Sequence, residues 1–201
     1  MQGPLLMLAF SIICLPGANS KNVRGECPKV ELQENFSLSK YMGIWYDIEH
    51  LPTHTTSGDC ISEEYTLDKD GWVNLIVEEK LENGSLRYYK GDVIPTHLNV
   101  TASLQYQLKR PFKQVPDIAE LSFVPYMVLA TDYESYSLVY SCFQQIPTGW
   151  KHIEYAWILS RQRHLTENVT DNLHEILKLY DIKTEEMVKT NQEDCPKHVN
   201  Q

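Results

Sequence analysis

Short runs of alternating apolar and polar residues fill the chain between residues 43 and 159. The runs are rich in Val, Ile, Tyr, Trp and Leu, and Gly, Pro, Asn or Asp separate them, which is typical of antiparallel β-structure. They predict eight strands, at 44–49, 61–67, 72–80, 85–93, 100–108, 126–131, 136–142 and 153–159. Eight such strands favour an all-β fold in which an up-and-down antiparallel sheet closes into a barrel.

Turn residues indicate how neighbouring strands are joined. The stretches Asp-Lys-Asp-Gly at 68–71 and Glu-Asn-Gly at 82–84 predict tight hairpin turns. Residues 53–59 and 111–117 predict longer loops, the second because it contains two prolines, which a central strand does not accept.

Beyond Arg161 the spacing of apolar residues becomes helical and predicts one helix over residues 166–180. Thr166 is a suitable N-cap, and Glu167 places a negative charge in the first turn. The apolar stripe of this helix consists of Leu165, Val169, Leu173, Ile176, Leu177 and Tyr180. We expect the stripe to pack on the barrel wall. Residues 187–190 predict a short final strand.

Alternation along two strands predicts which side chains face the lumen. If Asn99 is glycosylated and faces water, the opposite parity sends Val100, Ala102, Leu104, Tyr106 and Leu108 inward. On the second strand, Ile61, Tyr65 and Leu67 share a face with Glu63. Either Glu63 lies near an open rim, or this parity is wrong.

The two ends of the chain and its charge bound the protein class. Residues 1–20 contain an apolar run that is too short to span a membrane and end in Ala-Asn-Ser, which predicts a secretory signal peptide. A buried N-terminal helix is the alternative. Residues 21–201 then form one domain, with a barrel at about 43–160, the helix, and a tail at 181–201. A net charge of −9 argues against a nucleic-acid partner, and no later stretch has the length of a transmembrane segment.

Cysteines and asparagines predict covalent features of a secreted protein. Cys14 lies in the predicted signal, and Cys27, Cys60, Cys142 and Cys195 remain, which predicts two disulfides whose pairing the spacing leaves open. We expect no metal site, because the cysteines and the seven histidines lack close-pair spacing. Four Asn-X-Ser/Thr sequons predict N-glycosylation, at Asn35, Asn83, Asn99 and Asn168.

Three short segments resemble the three conserved regions of the lipocalin family. They are Gly43-Ile44-Trp45-Tyr46 in the first strand, Thr131-Asp132-Tyr133 between the sixth and seventh, and Arg161 after the eighth. Residues 34–36, 41–49, 129–136, 138–142, 155–159 and 195–197 match one branch of that family closely, and the bilin-binding lipocalins of insects resemble the chain next.

This resemblance implies roles for individual residues. It implies that Trp45 and Arg161 stack to close one end of the barrel, and that the disulfides are Cys27–Cys142 and Cys60–Cys195. It places Trp157 and Tyr65 at ligand-pocket positions. Strand parity adds Val73, Leu75, Val77, Leu104 and Tyr106 to the lumen wall.

The expected function is extracellular binding and transport of a small hydrophobic ligand, such as a fatty acid, a steroid or a similar lipid, with no enzyme activity and no cofactor. Arg87 or Lys90 could turn inward to pair with an acidic headgroup, although we expect both at the rim. A bilin carrier is the alternative, and a lipid-converting enzyme with a free pocket cysteine is a weaker one. Lipoprotein particles and a cell-surface receptor are further candidate partners.

Overall fold

A computed structural model describes residues 22–53, 56, 58–69, 71–97, 100–109, 123–144 and 150–197. The predicted signal peptide, the loop at 111–117 and the sequon at Asn99 lie outside the described residues.

Eight antiparallel strands form a closed ring, which confirms the predicted barrel. Their bounds are Gly43–His50 (β2), Asp59–Leu67 (β3), Val73–Lys80 (β4), Leu86–His97 (β5), Val100–Lys109 (β6), Val124–Thr131 (β7), Tyr136–Gln144 (β8) and Lys151–Ser160 (β9). Each strand pairs with the next in the chain, and β9 pairs back to β2. The ring closes because β2 and β9 both find partners on each side, which removes the free edges that an open sheet exposes.

Four short elements accompany the ring in the described segments, among them a 3₁₀ helix at Thr184–Glu186. A strand at Asn22–Arg24 (β1) pairs with β9, and a helix at Leu38–Tyr41 (α1) precedes β2. Neither was predicted, because three or four residues are too few to show a period. The predicted final strand is present as Val188–Lys189 (β10), which pairs with β2.

The predicted helix is present over Glu167–Lys178 (α2). Thr166 occupies the N-cap position with an extended backbone, but its side chain makes no capping hydrogen bond. Leu173 and Leu177 are buried against the outer faces of β8 and β9, where they join a cluster that includes Leu138 and Ile158. The helix therefore packs on the barrel wall, as its apolar stripe predicts.

Inward-facing side chains form a second, separate core inside the ring. It includes Ile61, Tyr65, Val73, Ala102 and Leu104. The parity predicted for the second strand is right, and Glu63 is buried on the lumen side, with 9% of its surface exposed, instead of lying at an exposed rim. Leu67, predicted on the same face, is 48% exposed, because it ends β3 next to the hairpin turn.

Two disulfides tie the terminal segments to the barrel. Cys27 is bonded to Cys142 on β8, and Cys60 on β3 is bonded to Cys195. These are the pairs that the family resemblance implies. None of the helices in the described segments has the length and apolar character needed to cross a lipid bilayer.

Candidate ligand-binding site

One end of the barrel is closed by Trp45 and Arg161. The guanidinium carbon of Arg161 lies 3.7 Å from the ring centroid of Trp45, a cation–π contact. Trp45 is fully buried and donates its indole N–H to the carbonyl of Tyr41 at 2.9 Å. The Arg161 guanidinium donates to carbonyl oxygens of Lys40, Tyr41, Met42, Ile44 and Tyr133. Both side chains therefore hold the segment that leads into β2 against the end of β9.

Gly43 is required at this closed end. Its φ is +97°, and a Cβ added there would lie 3.3 Å from Nη1 of Arg161. A larger residue would be strained by its backbone conformation and would push the guanidinium away. The Gly-X-Trp segment is thus explained by the space that Arg161 occupies.

The lumen contains a cavity with about 510 Å³ of space free of atoms, part of which is open to solvent. It is lined by Asp47, Thr56, Ile61, Glu63, Tyr65, Leu75, Val77, Tyr89, Tyr106, Tyr126 and Trp157. Apolar and aromatic side chains make up most of this wall, as is usual in sites for small hydrophobic molecules. Two carboxyl groups interrupt it.

Aromatic rings form one side of the cavity. Trp157 is half-buried on β9, and the Tyr106 ring meets it edge-on, with centroids 6.5 Å apart. Tyr106 also meets Tyr126 edge-on at 6.2 Å, and Tyr155 stacks on Trp157 at 5.7 Å. Such contacts fix the ring planes and give the cavity a preformed shape.

Glu63 is one of the two acidic side chains in this wall. Tyr65 donates its hydroxyl to Oε2 of Glu63 through a very short hydrogen bond. Burial raises the pKa of Glu63 to about 7, against the lowering effect of the Tyr65 hydrogen bond. The group therefore changes charge near neutral pH.

A chain of hydroxyl groups leads from the closed end to Glu63. The oxygen of Tyr65 lies 2.8 Å from that of Tyr126, Tyr126 lies 3.0 Å from Tyr41, and Tyr41 lies 2.9 Å from Ser137 Oγ. Each hydroxyl has one hydrogen to donate. Because Tyr65 gives its hydrogen to Glu63, Tyr126 must donate to Tyr65, Tyr41 to Tyr126, and Ser137 to Tyr41. All four hydrogen bonds therefore point toward the Glu63 carboxylate.

Two further buried carboxylates, those of Asp47 and Glu79, have hydrogen-bond and ion-pair partners of their own. Asp47 contacts Nδ1 of His50 at 3.0 Å and accepts a hydrogen bond from Thr190. Burial lowers the pKa of His50, but Asp47 outweighs that effect, so the pKa is above its ordinary value. Glu79 accepts from Nε of Arg87 at 2.6 Å and from the hydroxyl of Tyr89.

The structure brings most of the predicted pocket residues together. Tyr65, Leu75, Val77, Tyr106 and Trp157 all line the cavity. Leu104 and Val73 lie in the inner core and are buried, but they are not in the cavity wall. Of the two cationic candidates on β5, Lys90 is exposed, and Arg87 pairs with Glu79. Neither lines the cavity.

Sequence reasoning missed Asp47, Thr56, Tyr89 and Tyr126 as wall residues. A signal for Asp47 was present, because Trp45 faces inward and period two sends Asp47 to the same face. Tyr89 could have been found from Val77, its neighbour across the hairpin. Tyr126 pairs with Leu104 of β6, but a loop of uncertain length precedes it, so its register could not be read from a turn.

The cysteines and the potential metal ligands of the described segments bear on whether the site could perform thiol or metal chemistry. The four cysteines in the described segments are all in disulfides, so none of them supplies a thiol nucleophile. Among the described residues, no group of three or more His, Cys, Asp or Glu side chains is placed to hold a metal ion. Asn35, Asn83 and Asn168 are exposed, as glycosylation would require; their occupancy stays a prediction.

Known proteins with similar sequences and folds agree with this architecture. Apolipoprotein D of Macaca fascicularis is 37% identical over 194 residues, which cover 96% of this chain and 97% of that protein. Insecticyanin-B of Manduca sexta is 30% identical over 177 residues, covering 86% of this chain and 82% of that protein. The solved structure of insecticyanin from the same insect superposes with a TM-score of 0.70 at 27% identity, covering 88% of this chain and 91% of that one.

The branch of the family that the longer sequence runs resemble is therefore that of apolipoprotein D, with the insecticyanins next. The pattern of the lipocalin-like domain matches residues 36–192, which include the whole ring and α2. Barrel topology, the Trp45 and Arg161 closure and this match lead to one conclusion: the chain belongs to the lipocalin family.

Proposed function

We propose that this protein is an extracellular carrier that binds one small hydrophobic molecule, such as a lipid or a steroid, in the lumen of its barrel. The observation that carries the proposal is the cavity between Trp157 and the Glu63 region, walled by Leu75, Val77 and Tyr106. Because Trp45 and Arg161 close one end, a ligand would enter from the other.

Burial of apolar surface would supply most of the affinity. Each Å² of apolar surface removed from water contributes about 25 cal/mol, before the loss of translational and rotational freedom is subtracted. The preformed aromatic wall limits the further cost of ordering side chains on binding. We therefore expect dissociation constants in the micromolar range or tighter.

Secretion is supported by several independent features. The two disulfides are of the kind that persists in oxidising compartments. Residues 1–20 have the pattern of a cleaved signal, and three sequon asparagines, Asn35, Asn83 and Asn168, are solvent-exposed. We propose that the signal is removed and that at least one sequon carries a glycan.

Tryptophan fluorescence combined with calorimetry tests the proposal. Purified protein is titrated with progesterone, arachidonic acid and biliverdin, and the heat of binding is recorded alongside emission. We expect at least one of these apolar compounds to bind and to quench the emission of Trp157, because that indole lines the cavity.

Matched variants identify the binding place. Trp157→Phe should abolish the quench while calorimetry still detects binding. Trp72→Phe is the control, because Trp72 is 45% exposed next to a hairpin turn and should leave the quench intact. The carrier proposal fails if none of the three compounds gives heat. Binding of biliverdin alone, with a visible absorption band, would identify a pigment carrier instead.

A further inference from the structure

The hydroxyl groups linked to Glu63 accept hydrogen bonds but have no hydrogen left to donate. Tyr65, Tyr126 and Tyr41 have spent their single hydroxyl hydrogens along the chain that ends on Glu63. Burial raises the pKa values of Tyr65 and Tyr126, so both phenols keep their protons at neutral pH. A ligand carboxylate or carbonyl therefore meets no free donor among these hydroxyls; the donors that remain in the described wall belong to Tyr106 and Trp157 on its aromatic side.

Glu63 has no cationic group from the described residues in direct contact; His50 interacts with it electrostatically but contacts Asp47 instead. Its side chain forms a hydrogen bond with Tyr65 and no ion pair within the part of the chain that the structure describes. No Lys, Arg or His side chain of the described segments lines the cavity. Buried carboxylates are normally paired, because an unpaired charge out of water is costly. The partner that this arrangement lacks is therefore a cation.

Neighbouring cations are engaged elsewhere. Arg161 stacks on Trp45 at the closed end, Arg87 is paired with Glu79, and His50 is paired with Asp47. Each of these groups already contacts a carboxylate or an aromatic face. None of the three lines the cavity or forms an ion pair with Glu63.

We propose that the lumen selects hydrophobic molecules that carry a protonated amine, and that this ammonium group pairs with the carboxylate of Glu63. The apolar body of the ligand would pack against Leu75, Val77 and Trp157, which share the cavity with Glu63. Glu63 is then the residue that determines ligand class. This inference rests on the carrier function proposed above and adds to it the chemistry of the headgroup.

The hydroxyl chain orients the carboxylate of Glu63. Hydrogen bonds that all point one way polarise one another and place the positive end of the last one on the carboxylate. The chain holds Oε2 through Tyr65, so the carboxylate is oriented before a ligand arrives. A fixed acceptor costs less to pair than one that must first be ordered.

Pairing with an ammonium group would be sensitive to pH, because Glu63 must be ionised. Burial raises the pKa of Glu63 to about 7. Below neutral pH the carboxylate therefore becomes protonated and loses the negative charge that would pair with the ligand. The titratable groups that interact with Glu63 are Asp47 and His50 of β2, Tyr65 of its own strand, Tyr41 of α1, Tyr106 of β6 and Tyr126 of β7. The tyrosines stay neutral at physiological pH, so the net charge of this cluster depends on Glu63, Asp47 and His50.

Three probes with the same tail and different heads test the proposal: decylamine, decanol and decanoic acid. Affinities are measured on the purified, disulfide-bonded protein by calorimetry at about pH 8, where an alkylamine is protonated as lysine is. We expect decylamine to bind about 10- to 100-fold more tightly than decanol, the range typical of a charged hydrogen bond, and decanoic acid to bind most weakly.

Two isosteric variants assign the preference. Glu63→Gln should bring the affinity for decylamine down to that for decanol. Glu64→Gln is the matched control, because the adjacent residue on β3 does not line the cavity, and it should keep the preference. Wild type at about pH 5.5 should bind decylamine at least about tenfold more weakly than at pH 8, a measurement that needs no variant.

Each outcome separates the inference from the proposed function. Equal, measurable affinities for decylamine and decanol in wild type would overturn the amine inference and leave the carrier function standing. Tightest binding of decanoic acid would do the same. A decylamine preference that survives Glu63→Gln would overturn the role of Glu63. If the protein binds none of these probes and none of the three larger compounds, the carrier function itself fails.

Discussion

The guanidinium of Arg161 lies over the ring of Trp45 at 3.7 Å; Trp45 is on β2, Arg161 directly follows β9, and these two strands pair with each other. One stack therefore joins the first and last strands of the ring at the point where the barrel closes. Because Trp45 is fully buried, the indole also fills the end of the inner core. Trp45 and Arg161 therefore stabilise the barrel, and neither residue lines the cavity.

Removing the indole should destabilise the whole barrel. Trp45→Ala is expected to lower the free energy of unfolding by about 3–5 kcal/mol, because it leaves a cavity under the guanidinium. Urea unfolding followed by circular dichroism measures the loss. Trp72→Ala, at a 45% exposed position, is the control and should change stability much less. A normally melting Trp45→Ala protein that had lost ligand binding would contradict a purely structural role.

Glu63→Gln should stabilise the ligand-free protein at alkaline pH. The folded-state pKa of Glu63 is about 7, above its ordinary value of 4.5, so folding favours the protonated form. The cost of burying the ionised form is fully present above about pH 7 and disappears as the pH falls toward 4.5. It amounts to about 3 kcal/mol, from the difference between the two pKa values.

Chemical denaturation across pH measures this cost. The gain in stability from Glu63→Gln over wild type should be largest near pH 8 and should shrink to almost nothing near pH 5. The Glu64→Gln control should show no such trend. A gain that grew on acidification would mean that the pKa of Glu63 is lowered by folding, against the burial of this group.

How far the sequence predicts this molecule depends on the range over which each pattern acts. The eight ring strands and α2 follow from periods of two and 3.6, which repeat along a segment and are visible in it. β1 and α1 are too short to show a period. Parity alone placed Glu63 on the lumen side, but it could not tell a buried wall position from an exposed rim, because that depends on neighbouring strands.

Contacts between distant segments were the hardest to foresee. Tyr41 and Tyr126 meet although 85 residues separate them, and no local pattern in the chain encodes that contact. The disulfide pairs came from family resemblance and not from spacing. The hydroxyl chain, which gives the cavity its polar character, thus became visible only when the barrel had brought α1, β3, β7 and β8 together.

The two disulfides should contribute to stability mainly through the unfolded chain. Their cysteines are 115 and 135 residues apart, and closing such long loops restricts the unfolded ensemble most. Replacing Cys60 and Cys195 together by Ser is expected to cost about 2–5 kcal/mol. Peptide mapping of the unreduced protein provides the check on connectivity, and a peptide that joined Cys27 to Cys60 would contradict the pairing.

Tyr126 is the middle of the hydroxyl chain, so Tyr126→Phe should disconnect Glu63 from the closed end of the barrel. The variant leaves the hydroxyl of Tyr41 without its acceptor and the oxygen of Tyr65 without its donor. Unsatisfied buried groups of this kind cost about 1–3 kcal/mol. Tyr65 would then donate to Glu63 less strongly, because its own oxygen is no longer polarised. The pKa of Glu63 should therefore rise further above its ordinary value.

Nuclear magnetic resonance of the ¹³Cδ of Glu63 reports that pKa directly. The titration midpoint should lie higher in Tyr126→Phe than in wild type, and the affinity for decylamine near neutral pH should fall accordingly. Tyr106→Phe is the matched control, because Tyr106 lines the same cavity but is not a member of the chain of hydroxyl groups. It should leave the midpoint in place. If Tyr126→Phe lowered the midpoint or left it unchanged, the hydroxyl hydrogens would not point toward Glu63, because a chain running the other way would not stabilise its negative charge.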